Sequence, residues 1–103
     1  MKYEVVISDK ANADLRNIYE YIAYEKLAPE IASGFIDRLE EQILTLEELP
    51  YRFGEYDGEP WRSAGLRVMP IENYVVCFIP NDENATVTIV RVFYCGQNIE
   101  NHL

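Results

Sequence analysis

Arg91 stands inside the run ATVTIVRVFY, residues 85–94, with apolar neighbours on both sides. A guanidinium placed there must be paired, hydrogen-bonded or able to reach water. Two readings follow. It is locked to a carboxylate or to chain-end carbonyls, or it is a phosphate-binding group on a rigid strand, where its planar fork matches phosphate oxygens. Arg67, in LRVMPI at 66–71, carries the same two readings. Tyr94 ends the longest run beside a glycine-containing turn. Such a tyrosine packs, stacks on a base or relays a proton, and its ordinary pKa near ~10 must be tuned before it serves as a base. His102 is the single histidine and the natural acid or base at neutral pH, although it lies one residue from the C-terminus, where chains fray. Arg67, Arg91, Tyr94 and His102 are therefore the candidate catalytic residues.

A second group sits in the stretch EPWRSAGLR, residues 59–67, which holds the only tryptophan. Trp61 and Arg62 are residue types enriched in binding hot spots. The alternative is that Trp61 folds back over the sheet while Arg62 supports a neighbouring acid. Cys95 and His102 make a weak nucleophilic pair, because a thiolate needs an electropositive site. One His and two Cys do not suit a structural zinc site, so no metal and no cofactor are expected.

The elements that must position these residues are legible in the pattern. Residues 3–7, YEVVI, are short and β-branched and read as a strand. Ser8 and Asp9 are N-cap candidates for a helix whose apolar positions are Ala11, Leu15, Ile18, Tyr19 and Ile22, running to about Tyr24. Leu27-Ala28 is a corner. Pro29 and Glu30 suit the first turn of a second helix. Its expected buried stripe is Ile31, Phe35, Leu39, Ile43 and Leu46, widened by Ala32 and Ile36, and Pro50 marks its end. Its outer face carries Asp37, Glu40, Glu41, Glu47 and Glu48, which reads as a solvated face or as a surface for a basic partner.

A long loop, 51–65, leads to strands at 66–71, 74–79 and 85–94, with turns at Glu72-Asn73 and at 80–84. The fold class is α+β, in the order β-α-α-β-β-β. A helix hairpin packs on one face of a small, mainly antiparallel sheet, in one domain over residues 1–103. By period 2, Arg67 shares a face with Met69 and Ile71, and Arg91 with Ile89 and Phe93.

Composition narrows the partners. The chain of 103 residues has 18 acids against 9 Lys and Arg, a net charge of -9. Such a chain binds nucleic acid weakly unless it has a local basic site. The longest uncharged run, 74–81, is far short of a membrane span, and MKYEVVISDK has no long apolar segment. A cytoplasmic protein without a membrane partner is expected.

Three segments together, ANADLRNIYEYIA, EPWRSAGLRVMPIENYVVCF and NATVTIVRVFYCGQNIENHL, cover most of the chain. It resembles the RelE/ParE superfamily, the toxin halves of bacterial type II toxin–antitoxin pairs. The resemblance implies a cognate antitoxin that wraps and silences the toxin, and one of two activities. RelE-like members cut mRNA in the ribosomal A site: the 2′-hydroxyl attacks the adjacent phosphate, arginines steady the developing charge, and a C-terminal Tyr or His assists proton transfer. ParE-like members inhibit DNA gyrase by binding. Carried over by position, Arg67 and Arg91 match the family's sheet arginines, Tyr94 its end-strand aromatic, and His102, loosely, its tail acid or base.

Similar sequences read Tyr-Gly-Gly-Arg-Asp-Ile where this chain reads YCGQNI. Gln97 therefore occupies an arginine position and joins Trp61 and Arg62 as a binding residue for antitoxin or target. The missing charge is worth about 1–3 kcal/mol where desolvated. The expected function is a toxin that stops translation as a ribosome-dependent mRNA endoribonuclease. The alternatives are a gyrase inhibitor, or a degenerate member that only binds its antitoxin.

Overall fold

The computed structural model describes residues 2–95 and Leu103. Strand β1 (Glu4–Ile7) leads into helix α1 (Asp9–Glu20), and α2 (Pro29–Leu44) follows a short corner. Strands β2 (Arg67–Ile71), β3 (Tyr74–Asn81) and β4 (Thr86–Tyr94) complete the sheet, in the order β1-β4-β3-β2. The β2–β3 and β3–β4 pairs are antiparallel, while β1 runs parallel to β4, so the sheet is mixed. The helix hairpin is the crossover that returns the chain to the sheet, and it covers one face.

Ser8 starts α1 in two ways at once. Its side chain accepts from the Ala11 backbone N–H at 3.1 Å, and its hydroxyl donates to the Val90 carbonyl at 3.0 Å. One residue thus caps a helix and holds β4 where β1 ends. Ala11, Leu15 and Ile18 of α1, with Phe35, Leu39 and Ile43 of α2, pack on Met69, Val76, Phe78, Val87, Ile89 and Val92. Ile31, expected in the α2 stripe, is instead 66% exposed. The buried positions run 32, 35, 39 and 43, and a residue one step before Ala32 is turned about 100° off that stripe.

α1 ends at Glu20, and the chain continues as a π turn over Tyr21–Glu25, closed by Lys26 N–H donating to the Tyr21 carbonyl at 3.2 Å. The corner then uses Leu27 at φ 54, a left-handed conformation that costs about 1–2 kcal/mol for a residue with a Cβ.

The β3–β4 register shifts between Cys77 and Phe78. Phe78 pairs with Ile89 but Cys77 with Arg91, leaving Val90 as the extra residue of a bulge. The bulge breaks the period-2 expectation for Arg91. Ile89 packs in the helix-side core, whereas Val90 and Phe93 pack on the opposite face with Leu66 and Cys77. Arg91 therefore shares its face with Phe93 and not with Ile89.

Tyr3 and Tyr51 both donate to Asp82 Oδ1, at 2.7 and 2.8 Å, tying β1 and the post-α2 loop to the β3–β4 turn. These two hydrogen bonds hold the Asp82 carboxyl below its ordinary value, and the bond to the carboxylate pushes the Tyr3 hydroxyl up to about 12. A depressed carboxyl contributes stability above its unfolded pKa and loses it as pH falls. A raised phenol contributes below its unfolded pKa and loses it as pH rises toward its folded value. Melting temperature should therefore drop on acidification below about pH 4 more steeply in the wild type than in Asp82→Asn. Parallel acid limbs in the two proteins would show that the knot does not couple to stability.

Candidate functional site

The two sheet arginines do not converge. Arg67 lies on edge strand β2 and shares the helix-side face with Phe78, while Arg91 lies on β4 opposite Cys77. β3 runs between them, which sets their backbones about 10 Å apart.

Each arginine has its own partners. Arg91 makes a bidentate pair with Asp14 of α1, Nε to Oδ2 at 2.8 Å and Nη2 to Oδ1 at 2.9 Å. The same carboxylate accepts the Val92 backbone N–H at 2.9 Å. Asp14 thus takes the place of a neighbouring strand along the part of β4 that β1 does not reach. The guanidinium also stacks over the Phe93 ring, 4.7 Å from its centre. The Asp14 hydrogen bond raises the Arg91 pKa further, so its charge is permanent.

Arg67 is held on the other side. It donates to the Phe53 carbonyl at 2.6 Å and to the Tyr51 carbonyl at 3.4 Å, and it lies 4.8 Å over the Tyr51 ring. Its side chain is 16% exposed, and Glu55 lies 3.4 Å away. Arg62 reaches the same Glu55 at 3.7 Å and Asp57 at 3.6 Å. The structure therefore gathers Arg62 and Arg67 around one carboxylate. Trp61 packs with Leu66, Cys77 and Phe93 over the face away from the helices, which is the sheet-covering alternative. Cys77, buried there, has its thiol pushed up to about 12 by desolvation.

Tyr94 and Arg91 meet at a cleft of about 810 Å³ between α1, the π turn and the end of β4. Tyr94 is 51% exposed and meets Tyr74 edge to face, with ring centres 5.6 Å apart. Tyr21 and Lys26 form the far wall, the ammonium 5.5 Å from the centre of the Tyr21 ring. The π turn produces that pairing, since its wider turn brings residues five apart together. Gln97 and His102 lie outside the described residues.

The sequence reading missed Asp14, Lys26, Tyr21 and Glu55. Asp14 had a usable signal: an acid flanking the apolar stripe of a helix, in a chain whose last strand carries an unexplained arginine. The π turn had none.

Residues 5–99 match the family model described as ParE toxin of type II toxin-antitoxin system, parDE. No curated protein matches the chain. Among solved structures, the chromosomal ParDE toxin–antitoxin system of P. aeruginosa is similar, with a TM-score of 0.71 at 23% identity, over 90% of this chain and 96% of that one. The RelBE2 toxin–antitoxin complex of Mycobacterium tuberculosis gives 0.62 at 25% identity, over 91% and 99%. The isolated E. coli RelE toxin gives 0.64 at 14% identity, over 98% and 99%. With nearly its whole length matched by the family model and its fold shared with these structures, the chain belongs to the ParE toxin family of type II toxin–antitoxin systems.

Proposed function

We propose that this toxin acts by binding, blocking DNA gyrase, and that a cognate antitoxin silences it. The observation that supports this reading is the placement of the sheet arginines. Cleavage by a 2′-hydroxyl needs cations aimed at one phosphate, where the negative charge develops. Here Arg67 and Arg91 lie on opposite faces, each committed to a carboxylate and, for Arg67, to two carbonyls. Swinging Arg91 free would strand the mostly buried Asp14 carboxylate. The net charge of -9 also opposes loose contact with RNA. The antitoxin partner is supported by the neighbours that are toxin–antitoxin complexes.

A second reading, the ribosome-dependent endoribonuclease, is favoured by one observation: Arg91, Lys26 and Tyr94 line a single cleft. Purified gyrase separates the two. The chain should inhibit ATP-dependent supercoiling of relaxed plasmid at micromolar concentration. It should leave mRNA intact on programmed ribosomes. Full supercoiling in the presence of folded, excess toxin, with mRNA cut in the A site, would replace this reading with the second.

A further inference from the structure

Nine large apolar residues are exposed among the described residues, and four of them, Tyr21, Tyr24, Leu27 and Ile31, fall at the corner of the helix hairpin. Leu27 is the least expected. It sits at φ 54 just past the π turn, where the Lys26 and Ala28 N–H groups donate to the Tyr21 and Ile22 carbonyls. A left-handed residue that ends a helical segment is ordinarily glycine or asparagine, because a Cβ is strained there. Leucine keeps the strain and recovers nothing from burial, being 85% exposed. Ile31, four residues on, is exposed too and turned away from the α2 stripe. A strained backbone that holds out an apolar side chain, with further apolar side chains nearby, marks a contact surface.

The other end of α2 supplies the comparison. Leu49 is also left-handed and exposed, at φ 52, with exposed Leu44 and Tyr51 close to it in the chain. There the tyrosine is already committed: its hydroxyl donates to Asp82 and its ring lies under Arg67. The charges at that end also balance, Glu47 and Glu48 against Arg52 and Lys2, the last paired with Glu47. At the hairpin corner they do not balance. Exposed Glu20, Glu25 and Glu30 stand against one exposed lysine, Lys26.

We propose that the hairpin corner is the surface by which this toxin holds gyrase. Tyr24, Leu27 and Ile31 enter an apolar recess of the enzyme, and the three glutamates meet lysines and arginines at its rim. Charge selects this occupant. A second copy of the chain would bring the same acidic corner and a further net charge of -9, and a nucleic acid strand would bring its phosphates, so both are repelled. An enzyme that grips DNA carries exposed lysines and arginines for that purpose, and carboxylates on a protein rim pair with them. A few exposed apolar anchors then supply most of the affinity. The inference rests on the gyrase-binding reading and adds to it the face of the toxin that makes the contact.

The test uses the full chain and purified gyrase, and reads both inhibition of supercoiling and direct binding to immobilised enzyme. Leu27→Gly should melt at or above the wild-type temperature, since glycine relieves the left-handed strain, yet bind and inhibit about tenfold more weakly. Leu49→Gly relieves the same strain at the far end of α2, roughly 24 Å away, and should bind as the wild type does. Glu25→Lys combined with Glu30→Lys should weaken binding about tenfold and flatten its dependence on salt. If the wild type binds and inhibits and Leu27→Gly does so equally, the proposal falls and the gyrase reading stands. If the wild type neither binds nor inhibits, both fall. A wild-type dimer in solution that Leu27→Gly converts to monomer would assign the corner to a second copy and so overturn the proposal.

Discussion

Asp14→Ala should cost about 3 kcal/mol of folding stability and lower the melting temperature by about 15 °C. The change does two things. It leaves the Arg91 guanidinium, 19% exposed, without its bidentate partner, and it strips the Val92 N–H of the acceptor that stands in for a strand. Removing one member of a mostly buried ion pair is far more harmful than removing both. Asp14→Ala combined with Arg91→Met should therefore be more stable than the sum of the two single changes by about 1–3 kcal/mol. Asp14→Asn keeps an acceptor for Val92 and should fall between wild type and Asp14→Ala. Denaturant melts of the wild type and the four variants check this. Additive costs would mean that Asp14 and Arg91 are not a structural unit, and would return Arg91 to the pool of groups available to a substrate.

Arg67→Ala should cost about 2 kcal/mol and release the loop between α2 and β2. This guanidinium is the hub that the Phe53 and Tyr51 carbonyls, the Tyr51 ring and Glu55 share. The loop also pairs with the outer edge of β2, through Val68 N–H to the Gly54 carbonyl and Tyr56 N–H to the Leu66 carbonyl. Loosening it exposes the apolar face that Trp61 covers. The single tryptophan reports directly. Its emission should shift to longer wavelength, and amide exchange over residues 54–66 should quicken while β3 and β4 stay protected. Arg67→Lys should recover less than half of the loss, because a point charge cannot serve two carbonyls and a ring together. Unchanged tryptophan emission and exchange in Arg67→Ala would contradict this anchoring role.

The local signals in the sequence translated well into structure. Ser8 caps α1, Pro29 opens α2, and Phe35, Leu39, Ile43 and Leu46 form the buried stripe. The β2–β3 turn falls at Glu72-Asn73, with Glu72 at φ 53. What the sequence hid is long-range or irregular. Nothing in YEVVI states that it pairs in parallel with a strand some eighty residues later. The bulge at Val90 looks like any β-branched position, yet it decides which face Arg91 shares. The Asp14–Arg91 pair spans 77 residues, and such pairs follow from the fold and not from spacing. For Arg91 the two initial readings, a locked arginine or a phosphate ligand, could be separated only by finding that carboxylate.

The most direct measurement is pulse-labelling of bacteria after induced expression, with thymidine and amino acid incorporation followed in parallel. A toxin that binds gyrase should lower DNA synthesis first, while amino acid incorporation holds for the first minutes. A prompt fall in amino acid incorporation, with DNA synthesis continuing, would contradict the binding account and make Arg91, Lys26 and Tyr94 the groups to test for RNA cleavage.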